Sequence, residues 1–401
     1  MKKKKKEKKI LYQLIFSAFL LFSNAYLVKA NSDILSQDST GKYCINTEQD
    51  YYNFIENIQN YNNKTVILCN DIDISDVPEA TSSFGGILNG KGHTITYASK
   101  EAKENIAVFP FRINDNGIVE NINVQIDESY AYNSETDEFQ TVFSQCDGIA
   151  KGITIKGNVT CIYDDEDEDV SIGAIEGNGT LMDSSIAITY DLQSEKTIEE
   201  IAEDIVENDL GFEFCQLGTI NTGITYQNCI GYGQYSEAIK SLADELEPKI
   251  EDNTWGYLCV SFTRKSFFST SASATNCYYD KENMPDIKIR SEYIANRDNN
   301  KEFPNYADFG KTTSEMKNQG TYEGFDFNKK WTISPEDNNG YPYYNLQTEE
   351  ITLKVQASTE PKVWSTSVPR DYNRFVDYAK NYHFPYQVDL SLIHISEPTR
   401  L

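Results

Sequence analysis

The fold is decided by three glycine-led octapeptides, which read GIVENINV at 117–124, GIAKGITI at 148–155 and GTLMDSSI at 179–186. Their first glycines are spaced 31 residues apart. After each glycine, apolar and polar residues tend to alternate, as they do in a strand with one buried face. One such unit cannot bury its apolar face alone, so we expect the copies to stack on one another.

Two further copies follow, GITYQNCI at 223–230 and TNCYY at 275–279. Glycine and asparagine both tolerate a left-handed backbone, so we expect tight corners at the leading glycine and at the inner asparagine of each copy. The stacked strands would then form parallel sheets. The predicted fold is all-β, a right-handed parallel β-helix solenoid. An ordinary β-sandwich with coincidental spacing is the alternative.

Three segments have helical rather than strand periodicity. The first follows Thr47 and places apolar residues at 51, 54, 55 and 58, which predicts an N-terminal capping helix. The second, Thr197–Leu210, starts with a capping box of Thr197 and Glu200. The third, Ser236–Leu246, ends before Pro248. We expect the last two to be inserted at corners and to pack their apolar faces on the solenoid.

The N-terminal residues 1–30 resemble a secretory signal peptide. A lysine-rich start precedes an apolar run at 10–22, and small residues come before a cleavage site at Asn31. An uncleaved membrane anchor is the alternative. We find no second apolar stretch of spanning length, so we expect no transmembrane span after cleavage and an extracellular location, either secreted or attached to the cell surface.

The remaining chain divides into four parts. Residues 31–41 are predicted to be a polar leader and residues 42–347 the β-helix solenoid domain. Residues 348–390 are predicted to be a linker or the start of a further module. The last residues, SLIHISEPTRL at 391–401, resemble a translated sequencing adapter, and we expect them to be an artefact.

Composition limits the partners. The formal net charge is −26, which repels nucleic-acid phosphates and anionic membranes, so we expect no nucleic-acid partner. The eight cysteines permit disulfides in an exported chain, but they also suit buried free thiols, and the sequence leaves both readings open. They are Cys44, Cys69, Cys146, Cys161, Cys215, Cys229, Cys259 and Cys277.

We find no known catalytic motif in the sequence. The sequence contains no G-x-S-x-G, HExxH, P-loop or GxGxxG pattern, and we expect no cofactor and no catalytic residue. His93 is interpreted as a structural histidine at a corner. The tyrosines at 278–279 and 341–344 could stack on sugar rings or cap the core, and we favour capping.

An acidic run is the sharpest charge feature. Carboxylate oxygens suit calcium, but this run lacks the ligand spacing and the glycine of an ordered calcium loop. We therefore interpret it as a solvated loop and keep its residues as weak metal candidates. They are Asp164, Asp165, Glu166, Asp167, Glu168 and Asp169.

Two stretches resemble a known family. IGAIEGNGTLMDSS at 172–185 resembles the GLUG motif of bacterial surface proteins, although Ala174 and Glu176 depart from the pattern. FGGILNGKGHTI at 84–95 is similar to the entry coil of right-handed β-helix proteins. The resemblance implies a right-handed parallel β-helix on an exported bacterial protein, often adhesin-like, and it does not imply catalysis.

The expected function is therefore that of a binding or scaffold ectodomain, adhesin-like, with an extracellular glycan or a host or matrix protein as partner. A polysaccharide-active enzyme, a lyase or glycosidase, is the alternative, because parallel β-helices also host such activities. Turnover of a polysaccharide would distinguish the two.

Overall fold

The structure is a computed structural model that describes residues 35–75, 77–78, 80, 82–97, 108–126, 140–163, 170–217, 223–251, 255–261, 273–284, 287–291 and 309–345. The predicted signal peptide, the segment at 348–390 and the adapter-like end lie outside the described residues.

Strands dominate the described part of the chain. They are β1 (Ser36–Gln37), β2 (Tyr43–Ile45), β3 (Thr65–Leu68), β4 (Ile72–Ile74), β5 (Ile87–Asn89), β6 (Thr94–Tyr97), β7 (Phe109–Ile113), β8 (Ile118–Ile126), β9 (Gln140–Cys146), β10 (Ile149–Ile162), β11 (Val170–Ile175), β12 (Thr180–Met182), β13 (Ser185–Gln193), β14 (Gly211–Cys215), β15 (Thr225–Gln227), β16 (Ile230–Gly231), β17 (Gln234–Tyr235), β18 (Tyr257–Ser261), β19 (Ser273–Thr275), β20 (Tyr278–Asp280), β21 (Ile287–Ile289), β22 (Gly310–Lys311), β23 (Trp331–Thr332) and β24 (Tyr343–Tyr344).

These strands form three sheets. The second sheet has the order β21-β18-β14-β11-β9-β7, and β23 pairs with β24 in a small third sheet. All other strands belong to the first sheet, whose main path runs β1-β2-β3-β5-β8-β10-β13-β16-β20-β22. Pairing is parallel except for β1–β2, β18–β21 and β23–β24 among the described strands. The prediction of a β-dominated chain with parallel sheets is confirmed.

The first three octapeptide copies pair in register, as their 31-residue spacing predicts. Ile149 of β10 lies opposite Ile118 of β8, and Thr180 of β12 lies opposite Ile149. The fourth copy is shifted by one residue, because Thr225, its third residue, lies opposite Thr180, the second residue of the third copy. Because equivalent residues lie opposite one another, the alternating apolar side chains of the copies share one buried face.

The leading glycines have a different role from the predicted one. None of Gly117, Gly148 and Gly179 has a positive φ. A Cβ on Gly148 would lie 2.3 Å from the Gly117 carbonyl oxygen, and one on Gly179 would lie 2.2 Å from the Gly148 oxygen. The prediction of left-handed corners at these glycines is wrong, since glycine is required there by the close approach of stacked backbones.

The helices are α1 (Glu48–Glu56), α2 (Ile198–Glu207), α3 (Glu237–Leu246) and α4 (Thr313–Met316), with 3₁₀ turns at Ile58–Tyr61, Glu247–Lys249, Gln319–Thr321 and Asn338–Gly340. All three predicted helices are confirmed. Thr197 accepts from the Glu200 amide and closes the predicted capping box of α2. Helices α2 and α3 also contact each other, and buried apolar residues from both join the main core.

The apolar residues form two cores. The main core extends from Leu35 to Met284 and takes one face of both large sheets. A second core involves the segment that runs from 309 to 345, which we call the C-terminal segment. Its buried members are Ile230, Tyr278, Met316, Tyr322, Phe325, Trp331 and Tyr341.

Candidate functional site

The left-handed corners of the first sheet lie in one column, which we call the corner column. Its members are Asn121 (φ 55°), Gly152 (φ 62°), Asp183 (φ 49°), Asn228 (φ 51°) and Asn276 (φ 51°). Asn121, Gly152 and Asp183 are the fifth residues of their octapeptides. Asn228, the sixth residue of its copy, and Asn276 occupy the equivalent positions by strand register. Asparagine, aspartate and glycine are the residues that adopt this conformation most readily, which explains why the sequence varies only among them here.

Side-chain hydrogen bonds connect the column. The Asn276 amide donates to Asn228 Oδ1 at 3.3 Å, and the Asn228 amide donates to Asp183 Oδ1 at 3.0 Å. Lys330 Nζ lies 2.8 Å from Asp183 Oδ2. This carboxylate is the first cause of the raised pKa of Lys330. The ion pair fixes the C-terminal segment to the column.

A buried carboxylate fixes the same segment to the edge of the sheet. Asp280 is fully buried and accepts from Tyr341 OH at 2.5 Å, Thr313 Oγ1 at 2.7 Å and Asn283 Nδ2 at 3.0 Å. We call these four residues the Asp280 cluster. Burial first, and then the bond to Asp280, raise the pKa of Tyr341. Together with the backbone amides of Glu282 and Asn283, which donate to its other oxygen, these three side-chain donors give the buried carboxylate the partners that a buried polar group requires.

A second polar contact lies around Asn338. Its Oδ1 accepts from Lys156 Nζ at 2.5 Å, and its amide donates to Tyr232 OH at 3.0 Å. The Tyr232 ring stacks on Tyr341 with centroids 4.5 Å apart. Burial lowers the pKa of Lys156 and raises the pKa of Tyr232 to about 12. Lys156 thus donates to Asn338 and Tyr232 accepts from it, in a partly buried contact.

The candidate binding site lies beside the first two members of the corner column, Asn121 and Gly152. Four residues form it, and we call them the outer patch: Asn89, Glu120, Lys151 and Tyr344. Glu120 receives the Asn89 amide at 2.7 Å on one oxygen and Lys151 Nζ at 2.8 Å on the other. The Lys151 side chain remains 40% exposed.

The Tyr344 ring packs against the backbone of Gly152. A Cβ on Gly152 would lie 2.6 Å from Tyr344 Cε1, so the ring lies directly over that backbone. Trp331 packs edge-on against the Tyr344 ring, with centroids 5.6 Å apart. Tyr344 is half-buried, and burial together with the nearby Asp183 charge raises its pKa. The patch thus combines a supported aromatic ring with a carboxylate and an ammonium group, and the amide of the buried Asn89 supports the carboxylate.

The predicted metal candidates, Asp164 to Asp169, lie outside the described residues. Within the part of the chain that is described, we find no group of three or more His, Cys, Asp or Glu side chains that could hold a metal ion. The interpretation of the acidic run as a solvated loop with weak metal candidates therefore remains a prediction.

The other candidates have defined positions. His93 Nδ1 lies 3.1 Å from Asp71 Oδ1 in an exposed pair near a turn. Tyr278 packs in the second core and Tyr279 in the main core. Tyr341 is buried as well, whereas Tyr344 remains half-buried. Of the tyrosines considered for sugar stacking, Tyr344 is the one placed beside polar partners in the outer patch.

One cysteine pair is oxidised. Cys44 and Cys69 form a disulfide between β2 and the end of β3, with Cα atoms 5.8 Å apart. The other six are buried and form no disulfide in the structure. Both interpretations left open by the sequence thus occur, each at different residues.

Over the described residues, the helices are too short or too polar to cross a membrane. Comparison with known protein families, curated proteins and solved structures finds no match to this chain.

The outer patch was not predicted from the sequence. Asn89, Glu120 and Lys151 lie at equivalent strand positions 31 residues apart, as the register shows. That spacing could have identified them as neighbours. The addition of Tyr344 depends on the course of the C-terminal segment, for which the sequence carries no periodic signal.

Proposed function

We propose that this chain is an exported, adhesin-like binding protein of the GLUG-motif type, built as a right-handed parallel β-helix solenoid, and that its outer patch binds an extracellular glycan. The in-register parallel copies and the corner column support the solenoid. The Cys44–Cys69 disulfide supports export, because structural disulfides are rare in the cytosol of most organisms.

One observation carries the binding proposal: the Tyr344 ring lies over Gly152, the residue next to Lys151, and is close enough to Glu120 for that charge to act on its pKa. Glu120 in turn is bonded to Asn89 and Lys151. A sugar ring presents an apolar C–H face that packs on an aromatic ring, and its hydroxyl groups both donate and accept hydrogen bonds. The patch offers carboxylate oxygens as acceptors and an ammonium group as donor.

The test is a glycan array followed by titration with the glycan that binds. Gly152→Asn is the informative variant, since Asn121, Asn228 and Asn276 show that asparagine suits this corner. The new side chain displaces Tyr344 and leaves the backbone unchanged. We expect at least a tenfold loss of affinity, about 1.4 kcal/mol. Tyr344→Ala should give a similar loss.

Gly41→Asn is the matched control. Gly41 also has a positive φ (81°), but no atom lies within 4 Å of a Cβ placed on it. This variant should bind like the parent protein. Equal affinity of the parent and Gly152→Asn would overturn the binding site. Binding to a host or matrix protein but to no glycan would overturn the ligand class. Release of new reducing ends or unsaturated products would favour the polysaccharide-active enzyme.

A further inference from the structure

Two of the buried free cysteines lie directly opposite each other. Gln227 pairs with Thr275 and Ile230 pairs with Tyr278, so the register places Cys229 against Cys277. The Tyr278 amide donates to the Cys229 carbonyl at 2.9 Å, which fixes the two backbones at this point. In-register residues on neighbouring strands have Cα atoms about 4.8 Å apart. This falls within the Cα range of disulfides, about 4.4 to 6.8 Å.

The two thiols point into the same interior. Both residues are fully buried. Cys229 Sγ donates to the Leu181 and Gln227 carbonyls, each at 3.4 Å, and Cys277 Sγ donates to the Thr275 carbonyl at 3.5 Å. Their preceding residues, at 228 and 276, have the same left-handed φ of 51°, so the two cysteines follow equivalent corners. The Cys277 thiol is close enough to hydrogen-bond with the Cys229 thiol.

We propose that Cys229 and Cys277 form a second disulfide, which joins neighbouring strands of the stack across one corner. The inference rests on the proposed export, because the bond requires an oxidant. The two thiols lose two protons and two electrons, and one S–S bond forms. The oxidant is another disulfide, of a dithiol oxidoreductase or a small thiol compound, and it is reduced to two thiols.

The remaining cysteines do not offer a second pair of this kind on the strands where their register is known. Cys215 lies opposite Ser261 and Cys259 lies opposite Glu213, so these two are offset by two residues along their strands. Cys161 lies opposite Leu192, and Cys146 lies opposite Ile113. An offset of two residues adds about 6.6 Å along the strand, which exceeds the reach of a disulfide.

Burial determines when the bond forms. Burial first, and then the neighbouring Cys277 thiol, raise the pKa of Cys229 well above its ordinary value. The thiolate is the reactive species, so the folded, reduced pair exchanges slowly. The bond therefore forms before the strands close over it, and in the folded protein it is shielded from reductants.

The experiment compares protein exported from the producing cell with protein made in a reducing cytosol. Each is unfolded in the presence of an alkylating agent without reductant, and its intact mass and disulfide-linked peptides are determined. We expect four alkylated cysteines of the eight in the exported protein, and a linked peptide pair that contains Cys229 and Cys277. In the Cys229→Ala variant Cys277 should be alkylated, whereas Cys215→Ala should leave the linked pair intact.

The possible outcomes distinguish the proposed second disulfide from the proposed export. If Cys44 and Cys69 are linked and Cys229 and Cys277 are alkylated, the second disulfide is wrong and export stands. If all eight cysteines are alkylated in the exported protein, the second disulfide and the oxidising location are both wrong. The disulfide mapping is done on the parent protein. Its result therefore stands even if one of the variants fails to fold.

Discussion

Lys330 Nζ lies 2.8 Å from Asp183 Oδ2, and the Asp183 side chain is only 7% exposed. The pair joins residues 147 positions apart and connects the C-terminal segment to the corner column. The carboxylate has a second partner in Asn228. It therefore accepts from one amide and one ammonium group, and loss of the ammonium group would leave a nearly buried charge with a single partner.

We expect Lys330→Met to lower the free energy of unfolding by about 1–3 kcal/mol, the usual effect of removing one partner from a buried polar group. The measurement is urea denaturation. The double variant Asp183→Asn with Lys330→Met is the control, because asparagine already occupies this corner at 228 and 276. It should recover most of the loss. A double variant no more stable than Lys330→Met would show that the charge pair is not the cause.

The buried tyrosines predict a loss of stability at alkaline pH. Burial raises the pKa of Tyr51, Tyr190 and Tyr235 well above the ordinary value. Above pH of about 10 the unfolded chain releases these protons and the folded chain keeps them. The folded state then binds more protons, so the free energy of unfolding falls as pH rises. Lys330 acts in the same direction, since its raised pKa makes its contribution disappear at high pH.

Urea midpoints measured across the alkaline range check this expectation. Tyr190→Phe removes a hydroxyl that donates to the Cys215 carbonyl at 2.8 Å. It should cost about 1 kcal/mol at neutral pH. It should also lose less stability than the parent protein between neutral and alkaline pH. A stability that stays constant above pH of about 10 would contradict the assignment of these raised pKa values.

Gly177 should be intolerant of any side chain. Its φ is +125°, and a Cβ placed there would lie 2.2 Å from the Cys146 carbonyl oxygen. We expect Gly177→Ala to cost more than the roughly 1–2 kcal/mol of an unfavourable φ alone, because strand backbones must also separate. Thermal denaturation measures the effect. Gly41→Ala, with φ +81° and open space, isolates the conformational part and should cost less. Equal losses would refute the steric argument.

The strand stack could be predicted because it is periodic. The 31-residue spacing of Gly117, Gly148 and Gly179 predicted the neighbours, and the register agrees with it. The sequence did not reveal the physical role of those glycines. A sequence shows that a residue lacks a Cβ, but it does not show whether conformation or close approach requires this. At these three positions the stacked carbonyl oxygens require it.

The candidate site was harder to predict, for a different reason. Glu120 and Lys151 follow from the repeat, but Tyr344 arrives from a segment almost 200 residues further along, whose path depends on the second core. Contacts of such long range leave no local pattern. The same holds for Asp280 and Tyr341, which are 61 residues apart and meet only when that segment packs.

The Asp280 cluster predicts how the C-terminal segment is retained. Tyr341→Phe removes the hydroxyl that donates to the buried Asp280 carboxylate and leaves two side-chain donors, Thr313 and Asn283. Since the buried carboxyl group keeps its desolvation penalty with one partner fewer, we expect a loss of about 1–3 kcal/mol. Faster proteolysis within 309–345 is the expected readout, because the loss falls on the attachment of that segment.

Tyr344→Phe is the matched control for this prediction. It makes the same chemical change in the same segment, at a half-buried ring whose hydroxyl has no hydrogen bond among the described residues. Its proteolysis rate should equal that of the parent protein. If Tyr341→Phe and Tyr344→Phe are cleaved at the same rate, the Asp280 cluster does not hold the segment, and the stacked rings of Tyr232 and Tyr341 would have to account for its attachment.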